Sequence, residues 1–378
     1  MKVLMIGTDR NIFKEGSEAR NRMVEYGTIV DELHIVVFSK RNDQILNQKI
    51  KISNNSFVYS THSSSRFLYM LDAKRIAEGV IENWDLKIGN FVITAQDPFE
   101  TGLVGWLVAR RYTLPLQLQI HTDFLSPYFA HESLLNRVRV FCAKFLLPRA
   151  SCVRVVSERI KESLKNDRLK TTPAVLPIFV DAEAICRAPV RTDLHAQYPQ
   201  FDFITLMASR LTKEKNIPLA VDAIREVVKK HPKAGLIIVG GGPEKERLKL
   251  LATRYSLLAN IVFEPWTDDL VSYYKTADVF LLTSNYEGYG RTVVEALAAG
   301  CPVVMTDTGV AGDIVKNNEN GFIVPVGDCA ALVAALVKVR EKRVHLEPRV
   351  PQQTKDDYLR AYQHAWGTCA GLSRTEGL

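Results

Sequence analysis

The stretch Val279-Phe280-Leu281-Leu282-Thr283-Ser284-Asn285-Tyr286-Glu287-Gly288-Tyr289-Gly290 decides how this chain is read, together with its continuation Arg291-Thr292-Val293-Val294-Glu295-Ala296-Leu297-Ala298-Ala299-Gly300. Val279–Leu282 is a short apolar run that reads as a buried strand. Gly288 and Gly290 form a loop in which backbone approaches a ligand closely. Thr292 to Ala299 is helix-like, and Gly300 closes it. A helix opening after a Gly-x-Gly loop points N–H groups and a positive dipole end outward, which suits an anion such as phosphate. Glu287 and Glu295 bracket that site. Carboxylates beside a phosphate accept hydrogen bonds from hydroxyls, as the acidic residue of dinucleotide folds does for ribose. The order fits a ligand of sugar, phosphate and sugar. The blander reading is an exposed helix with two solvated glutamates; the coincidence of both glycines with both acids weighs against it.

Outward from this stretch, the alternation of short apolar strand, turn and amphipathic helix recurs. Strands are expected at Lys2–Ile6, Leu33–Phe38, Phe91–Thr94, Leu116–Ile120 and Cys152–Val156. After a polar stretch from Arg187 to Asp202 they resume at Ile204–Ala208, Leu236–Val239, Ile261–Glu264, Val279–Leu282, Val303–Thr306 and Phe322–Val324. The pattern predicts α/β architecture: two facing doubly wound, Rossmann-like parallel-sheet domains with a cleft at the carboxyl ends of their strands. The expected domains are residues 1–185 and 200–350. Residues 351–378 are read as a carboxyl-terminal helix (Gln352 to Trp366) packing back on the first domain, after an irregular Val344 to Pro351.

The composition agrees with a soluble globular protein: 378 residues, 47% hydrophobic, 24% charged. That excludes collagen, coiled coil and disorder. No apolar run approaches the ~18 residues of a membrane span, and the opening Met1 to Gly7 is too short for a secretory signal. A cytoplasmic location is expected. Residues 1–180 hold 25 basic and 18 acidic side chains, whereas the remainder has 24 of each, so the first half carries the entire net charge of +7. A basic half attracts phosphates or acidic surfaces. The six cysteines form no C-x-x-C pair and are read as reduced thiols.

Other candidates stand at strand ends. Arg210 and Lys215 follow Ile204–Ala208, where a guanidinium and an ammonium grip phosphate oxygens; spacing alone leaves an ordinary basic turn as an equal alternative. Gly240-Gly241-Gly242-Pro243 lacks the G-x-G-x-x-G spacing and reads as a tight strand-to-helix turn, which argues against a nicotinamide enzyme. His121 closes the strand Leu116–Ile120 and faces the expected cleft, although a lone histidine is more often structural. Asp97 ends the strand Phe91–Thr94 and is a weaker candidate to face an acceptor. Gly16-Ser17-Glu18 starts a helix. The helix expected from Leu134 to Leu147 carries an apolar stripe of Leu134, Leu135, Val138, Phe141, Cys142 and Phe145, flanked by Arg137, Arg139, Lys144 and Arg149. Basic charge continues through Lys170. The stripe fits either a helix lying on anionic lipid or one packed on its own sheet.

Glu287 and Glu295, with seven residues between them, resemble the Glu-x7-Glu motif of retaining nucleotide-sugar glycosyltransferases of glycosyltransferase family four, which have the GT-B fold. Ser209-Arg210-Leu211-Thr212-Lys213-Glu214-Lys215-Asn216 is similar to the family's diphosphate-binding turn, Ile238 to Glu244 to its strand-turn-helix signature, and Asn320 to Pro325 to its late strand. The resemblance implies a donor domain in the carboxyl half: Arg210 and Lys215 on the diphosphate, Glu295 on the ribose, and Glu287 with Gly288, Tyr289 and Gly290 on the sugar. It implies an acceptor domain in the amino half, with His121 near the reacting sugar and Gly16 near the donor phosphates. The first loop departs from the family in having only Gly16 where relatives carry adjacent glycines. Trp266 falls in a turn that lies near the base in the family, and domain packing is an equal role for it. The implied reaction is transfer of a hexose from a UDP- or GDP-sugar to a sugar or lipid-linked acceptor, with retention, in cell-surface glycan or glycolipid synthesis. No metal or other cofactor and no nucleic acid partner is expected. Residues 134–170 offer an anionic membrane surface a place to bind, at the inner face of the membrane. The alternatives are a nucleotide-sugar epimerase of the same fold and a non-catalytic nucleotide-sugar-binding protein.

Overall fold

The computed structural model describes residues 1–41, 43, 48–87, 89–342, 350 and 353–372. The chain divides into two compact units: Met1–Pro177 with Lys355–Leu378, and Ile178–Thr354. The segment read as irregular, Val344 to Pro351, lies almost wholly outside the described residues.

The first unit is built on an eight-stranded sheet. Its strands are β1 (Lys2–Gly7), β2 (Glu32–Val37), β3 (Lys49–Lys51), β4 (Ser56–Ser60), β5 (Phe91–Ala95), β6 (Leu116–Ile120), β7 (Cys152–Val155) and β8 (Ala174–Val175), in the order β3-β4-β2-β1-β5-β6-β7-β8. All neighbours are parallel except β3, which runs antiparallel to β4. The continuous apolar runs Val3–Ile6 and Ile35–Val37 are fully buried, as strands covered on both faces must be. Of these strands, β3, β4 and β8 escaped the sequence reading. β4 is Ser-Phe-Val-Tyr-Ser, with serines rather than aliphatics buried at its ends, and β3 and β8 are edge pieces of three and two residues.

The second unit has six parallel strands: β9 (Phe203–Ala208), β10 (Ala234–Val239), β11 (Ile261–Glu264), β12 (Val279–Leu282), β13 (Val303–Thr306) and β14 (Gly321–Val324). Their order is β11-β10-β9-β12-β13-β14. The helices Ile217–Lys230 and Cys329–Lys342 supply Leu219, Ile224, Val227, Leu332, Leu336 and Val339 to a core with Leu236, Ile238, Leu281 and Val304. All these residues are Val, Ile or Leu, so the core is filled without polar atoms to satisfy.

The helix Lys355–Cys369 belongs to the first unit. It buries Tyr358, Tyr362, Trp366 and Cys369, one stripe at helical spacing. Tyr26 stacks on this stripe, 4.3 Å from Tyr362 and 5.9 Å from Trp366 between ring centroids. Cys369 is disulfide-bonded to Cys152 at the start of β7, which corrects the expectation that the cysteines are all reduced thiols. The two are 217 residues apart. Spacing motifs report only neighbours in sequence, whereas this pair meets because the last helix returns to the first sheet. Trp366 is fully buried. Trp366→Ala is expected to cost about 3–5 kcal/mol, the usual loss for a large buried aromatic, and to expose the helix to proteolysis; urea denaturation and limited digestion check this, and a loss below about 1 kcal/mol would show that the helix is not anchored by this ring.

Candidate active site

In the second unit the strand order reverses between β9 and β12: successive strands step one way through β10 and β11, and the other way through β13 and β14. The loops after β9 and β12 therefore diverge and leave a crevice at the carboxyl edge, the usual ligand position in such sheets. Those two loops carry Arg210, Lys215 and Glu287.

They are stitched together. The Lys215 ammonium donates to Glu287 Oε1 at 2.6 Å, and the Ser284 hydroxyl donates to the same oxygen at 2.7 Å. Both members of the ion pair are largely buried, at 16% and 12% side-chain exposure. Thr283 Oγ1 donates to the carbonyl oxygens of Lys215 and Asn216 at 2.9 and 3.1 Å. The Asn285 amide N–H donates to the Glu214 carbonyl at 2.8 Å. Asn216 adopts left-handed backbone, φ +43°, which asparagine tolerates better than most residues, and its amide donates to Asn285 Oδ1 at 3.0 Å. Lys215 and Glu287 are thus brought into direct contact, which sequence separation concealed. Arg210 stands apart: it is 80% exposed and lies 3.7 Å from Glu214, a loose pair.

The turn after β10 supports the first of these loops. Gly240 has φ +140°, and a Cβ there would lie 2.0 Å from the Ser209 carbonyl oxygen. Only glycine allows this approach, so the glycine turn serves as a backbone bearing for Ser209–Leu211. Gly290, φ +94°, is the N-cap of the helix Arg291–Ala298. Tyr289 is buried, and its carbonyl accepts from the Val310 N–H at 3.0 Å, so the loop after β13 braces the glycine loop from behind. Glu295 accepts from Tyr274 OH at 3.1 Å and pairs with Arg291 Nε at 2.6 Å. Burial, followed by the nearby Glu295 charge, pushes the Tyr274 phenol well above its ordinary pKa, so it stays a donor. Trp266 is 55% exposed and fills no core position.

The first unit has its own strand-order reversal, between β1 and β5. The loop after β1 carries Gly16, φ +73°, with open space around it. Ser17 then caps the helix Glu18–Gly27 by accepting from the Arg20 N–H at 3.2 Å. Asp97, after β5, accepts from the Phe99 and Thr101 N–H groups at 2.8 and 3.3 Å. Through Oδ1 its carboxylate holds the start of the helix Glu100–Tyr112.

His121 follows β6. Its Nε2 lies 3.1 Å from Gln119 Oε1. That oxygen also accepts from Arg154 at 2.8 Å and from Tyr362 OH at 3.1 Å. An amide oxygen only accepts, so Nε2 carries the proton and Nδ1 is left as an acceptor. Gln119 and Arg154 are neighbours of this histidine that the sequence reading missed; the buried polar alternation of β6 signals Gln119, and the lone arginine within the otherwise apolar β7 signals Arg154. Enclosure by protein, then the Arg154 and Arg22 charges, push the His121 pKa down to about 3. The residue is also exposed to solvent, and water screens part of that effect, so the firm conclusion is a neutral ring at neutral pH. Below about pH 6.5 the unfolded chain takes up a proton that the folded ring refuses, so this residue lowers stability as pH falls through that value. NMR of labelled histidine is expected to show no His121 titration between pH 8 and 5; a midpoint near 6.5 would remove the buried-cation account.

Among the described residues, no three His, Cys, Asp or Glu side chains gather as metal ligands do. Residues 192–355 match the family described as Glycosyl transferases group 1. The chain is 26% identical over 245 residues to an alpha-monoglucosyldiacylglycerol synthase of Streptococcus pneumoniae, spanning 61% of this chain and 55% of that protein. It is 25% identical over 344 residues to the synthase of the same name from Acholeplasma laidlawii, spanning 87% of this chain and 82% of that one. The chain thus aligns with little more than half of the first relative and most of the second. Its fold is similar to that of Anabaena Alr3699/HepE in complex with UDP, with a TM-score of 0.70, 20% identity and coverage of 97% of this chain and 95% of that chain. The family match and these synthases disfavour the epimerase reading. Residues 192–355 thus match the group 1 glycosyl transferases, and the chain has the GT-B fold.

Proposed function

We propose that this chain is a retaining hexosyltransferase that takes a hexose from a UDP- or GDP-linked donor and places it on a lipid-linked or sugar acceptor, without a metal ion, in glycolipid or cell-surface glycan synthesis. The observation that carries the donor half is the Lys215–Glu287 pair across the reversal of strand order, next to the Gly288–Gly290 loop and the start of a helix. In this reading Glu287 accepts from a hexose hydroxyl and Glu295 from the ribose. Lys215 has three N–H donors. One stays on Glu287 while the others reach diphosphate oxygens, and the exposed Arg210 swings to join them. As the glycosidic bond breaks, negative charge grows on the diphosphate. Fixed cations and the amino end of the Arg291–Ala298 helix stabilise that charge without reorganising. The neutral His121 offers Nδ1 to a sugar hydroxyl from the acceptor unit. The relatives named as glucosyldiacylglycerol synthases support a lipid acceptor, and the UDP complex of a structural neighbour supports a nucleotide donor.

The test is incubation with nucleotide sugars and a mixed acceptor extract in EDTA. Release of nucleoside diphosphate with a glycosylated lipid is the expected outcome. No release would favour the non-catalytic sensor, and rescue only by magnesium or manganese would refute the metal-free site. Glu287→Gln is expected to lower kcat by about 10²–10³ at a stability cost of about 1–3 kcal/mol, since Lys215 keeps an oxygen partner; unchanged kcat would remove Glu287 from the chemistry.

The helix Leu134–Leu146 supports a membrane acceptor. Its inward face is Asn136, Ala143 and Leu146. Its apolar stripe faces outward: Leu134 and Phe141 are 75% exposed, Val138 63% and Leu135 54%. No helix among the described residues is long and apolar enough to cross a membrane, so the reading is of a helix lying in the interface plane. Sedimentation with phosphatidylglycerol vesicles is expected to show binding that weakens with salt and is lost in Leu135→Ser/Phe141→Ser. Native protein that stays in the supernatant at low salt would return the acceptor to solution.

A further inference from the structure

Beyond the carboxyl-edge sites, the first unit holds a second concave surface at the opposite end of its sheet. It is a cavity of about 680 Å³ lined by Trp106, Arg110, Pro148, Arg149, Lys170 and Gly371, among others. Leu116, the first residue of β6, also lines it, whereas His121 follows the last residue of the same strand. Five residues of strand separate the two by about 16 Å. The cavity is therefore not the acceptor site.

Its electrostatics are one-sided. Three cations line it, and no acidic residue does. Neither Arg110, Arg149 nor Lys170 makes an ion pair among the described residues. The two guanidiniums lie over adjoining aromatic rings instead. Arg110 is 5.6 Å from the Trp106 ring centre and Arg149 is 3.7 Å from that of Phe145, while the two rings meet edge to face at 5.3 Å. Arg149 is further held by donation to the Phe145 carbonyl, and Lys170 Nζ donates to the Arg149 carbonyl at 3.3 Å. Like charges gathered around one concavity without a carboxylate repel one another, and a bound anion relieves that cost. Elsewhere in the same unit cations find acids: Arg111 with Glu78, Arg139 with Glu100.

The cavity adjoins the carboxyl end of the helix that carries the outward stripe, through Pro148 and Arg149. The helix Leu134–Leu146 spans about 20 Å, and its last turn carries Phe145, which holds both Trp106 and Arg149. Phe141 lies one turn earlier and is exposed. An amphiphile whose apolar chains meet this stripe would present its head group to Arg110, Arg149 and Lys170. Trp106, half-buried, is the residue type that sits at the level of lipid head groups.

We propose that this cavity binds the phosphate of an anionic phospholipid, a site distinct from donor and acceptor that fixes the unit on the membrane at the far end of the Leu134–Leu146 helix. The proposal rests on the reading of that helix as a membrane surface, and the experiment separates the two. Dihexanoylphosphatidylglycerol and dihexanoylphosphatidylcholine, below their micellar concentrations, are titrated into the whole protein by calorimetry beside inorganic phosphate. The expected result is at least about tenfold tighter binding of the anionic lipid than of either other probe, lost in Arg110→Gln/Arg149→Gln/Lys170→Gln. All three positions are exposed, so the variant is expected to melt as the native protein does, and Arg111→Gln is the matched control that keeps binding. Equal affinity for the two lipids, unchanged binding in the triple variant, or phosphate binding as tightly as the anionic lipid would each overturn the proposal. Monomeric anionic lipid that binds while vesicles are ignored would retain the cavity and refute only the membrane-surface reading.

Discussion

A single buried cation organises the first unit. Arg154, on β7, is 2% exposed and has no carboxylate hydrogen-bond partner among the described residues. It donates to Gln119 Oε1 on β6, to Tyr362 OH on the last helix and to the Leu176 carbonyl after β8, and its guanidinium lies 4.6 Å from the Tyr362 ring centre. Its Nε is buried without a hydrogen-bond partner, so this buried charge depends on the oxygens that its two terminal nitrogens reach. Every partner of Arg154 is therefore constrained by it. Because Gln119 Oε1 is one of those partners and also faces His121, the packing of the carboxyl-terminal helix and the protonation of the site histidine share one oxygen. The helix is in this sense part of the site, although it is more than 200 residues away in sequence.

The second unit uses topology where the first uses a charge. The reversal of strand order between β9 and β12 forces two loops apart, and side chains then close the gap from below. Lys215, Ser284 and Glu287 form that closure. Gly240 and Gly290 let backbone pack where a side chain would collide or strain, so each loop is held from behind and its front is left for a ligand. The ion pair itself is not a strong argument for stability, since a buried pair of this kind is often replaceable by apolar side chains. Its retention in an otherwise Val-, Ile- and Leu-rich unit makes better sense as preparation of a carboxylate and an ammonium for polar work.

Much of this was legible before any coordinates. Eleven of the strands are short and mostly apolar, as strands covered on both faces of a parallel sheet must be. In the first unit the edge strands β3 and β8, and β4 beside β3, gave no such signal: β4 buries serines, with Ser60 bonded to Ser39 at 2.6 Å. The Glu287 and Glu295 loop and helix were readable because glycines and acids are local signals. The contact between Lys215 and Glu287 was not, because it spans 72 residues and depends on which strands become neighbours. The disulfide and the Arg154 cluster escaped for the same reason. Asp97 carries an ambiguous local signal: an aspartate three residues before a helix holds its first N–H groups as readily as it binds a ligand.

The helix Leu134–Leu146 shows why periodicity alone did not decide between membrane and core. Amphipathicity says that one face is apolar, and the ordinary inference turns that face inward. Here the inward positions are Asn136, Ala143 and Leu146, and the cost of burying the asparagine is offset by donation to the Phe129 carbonyl at 3.1 Å. A helix that packs through an asparagine and an alanine while showing Leu134, Leu135, Val138 and Phe141 to solvent has its larger apolar face on the wrong side for a protein surrounded only by water. Two stripes share this helix, a thin one that fixes it to the sheet and a wide one that the first unit leaves uncovered. The excess positive charge of the same unit then acquires a direction. In the proposed membrane reading, the apolar face sets which side meets a bilayer, and the cations along it, with an acidic surface opposite, set which bilayer it meets.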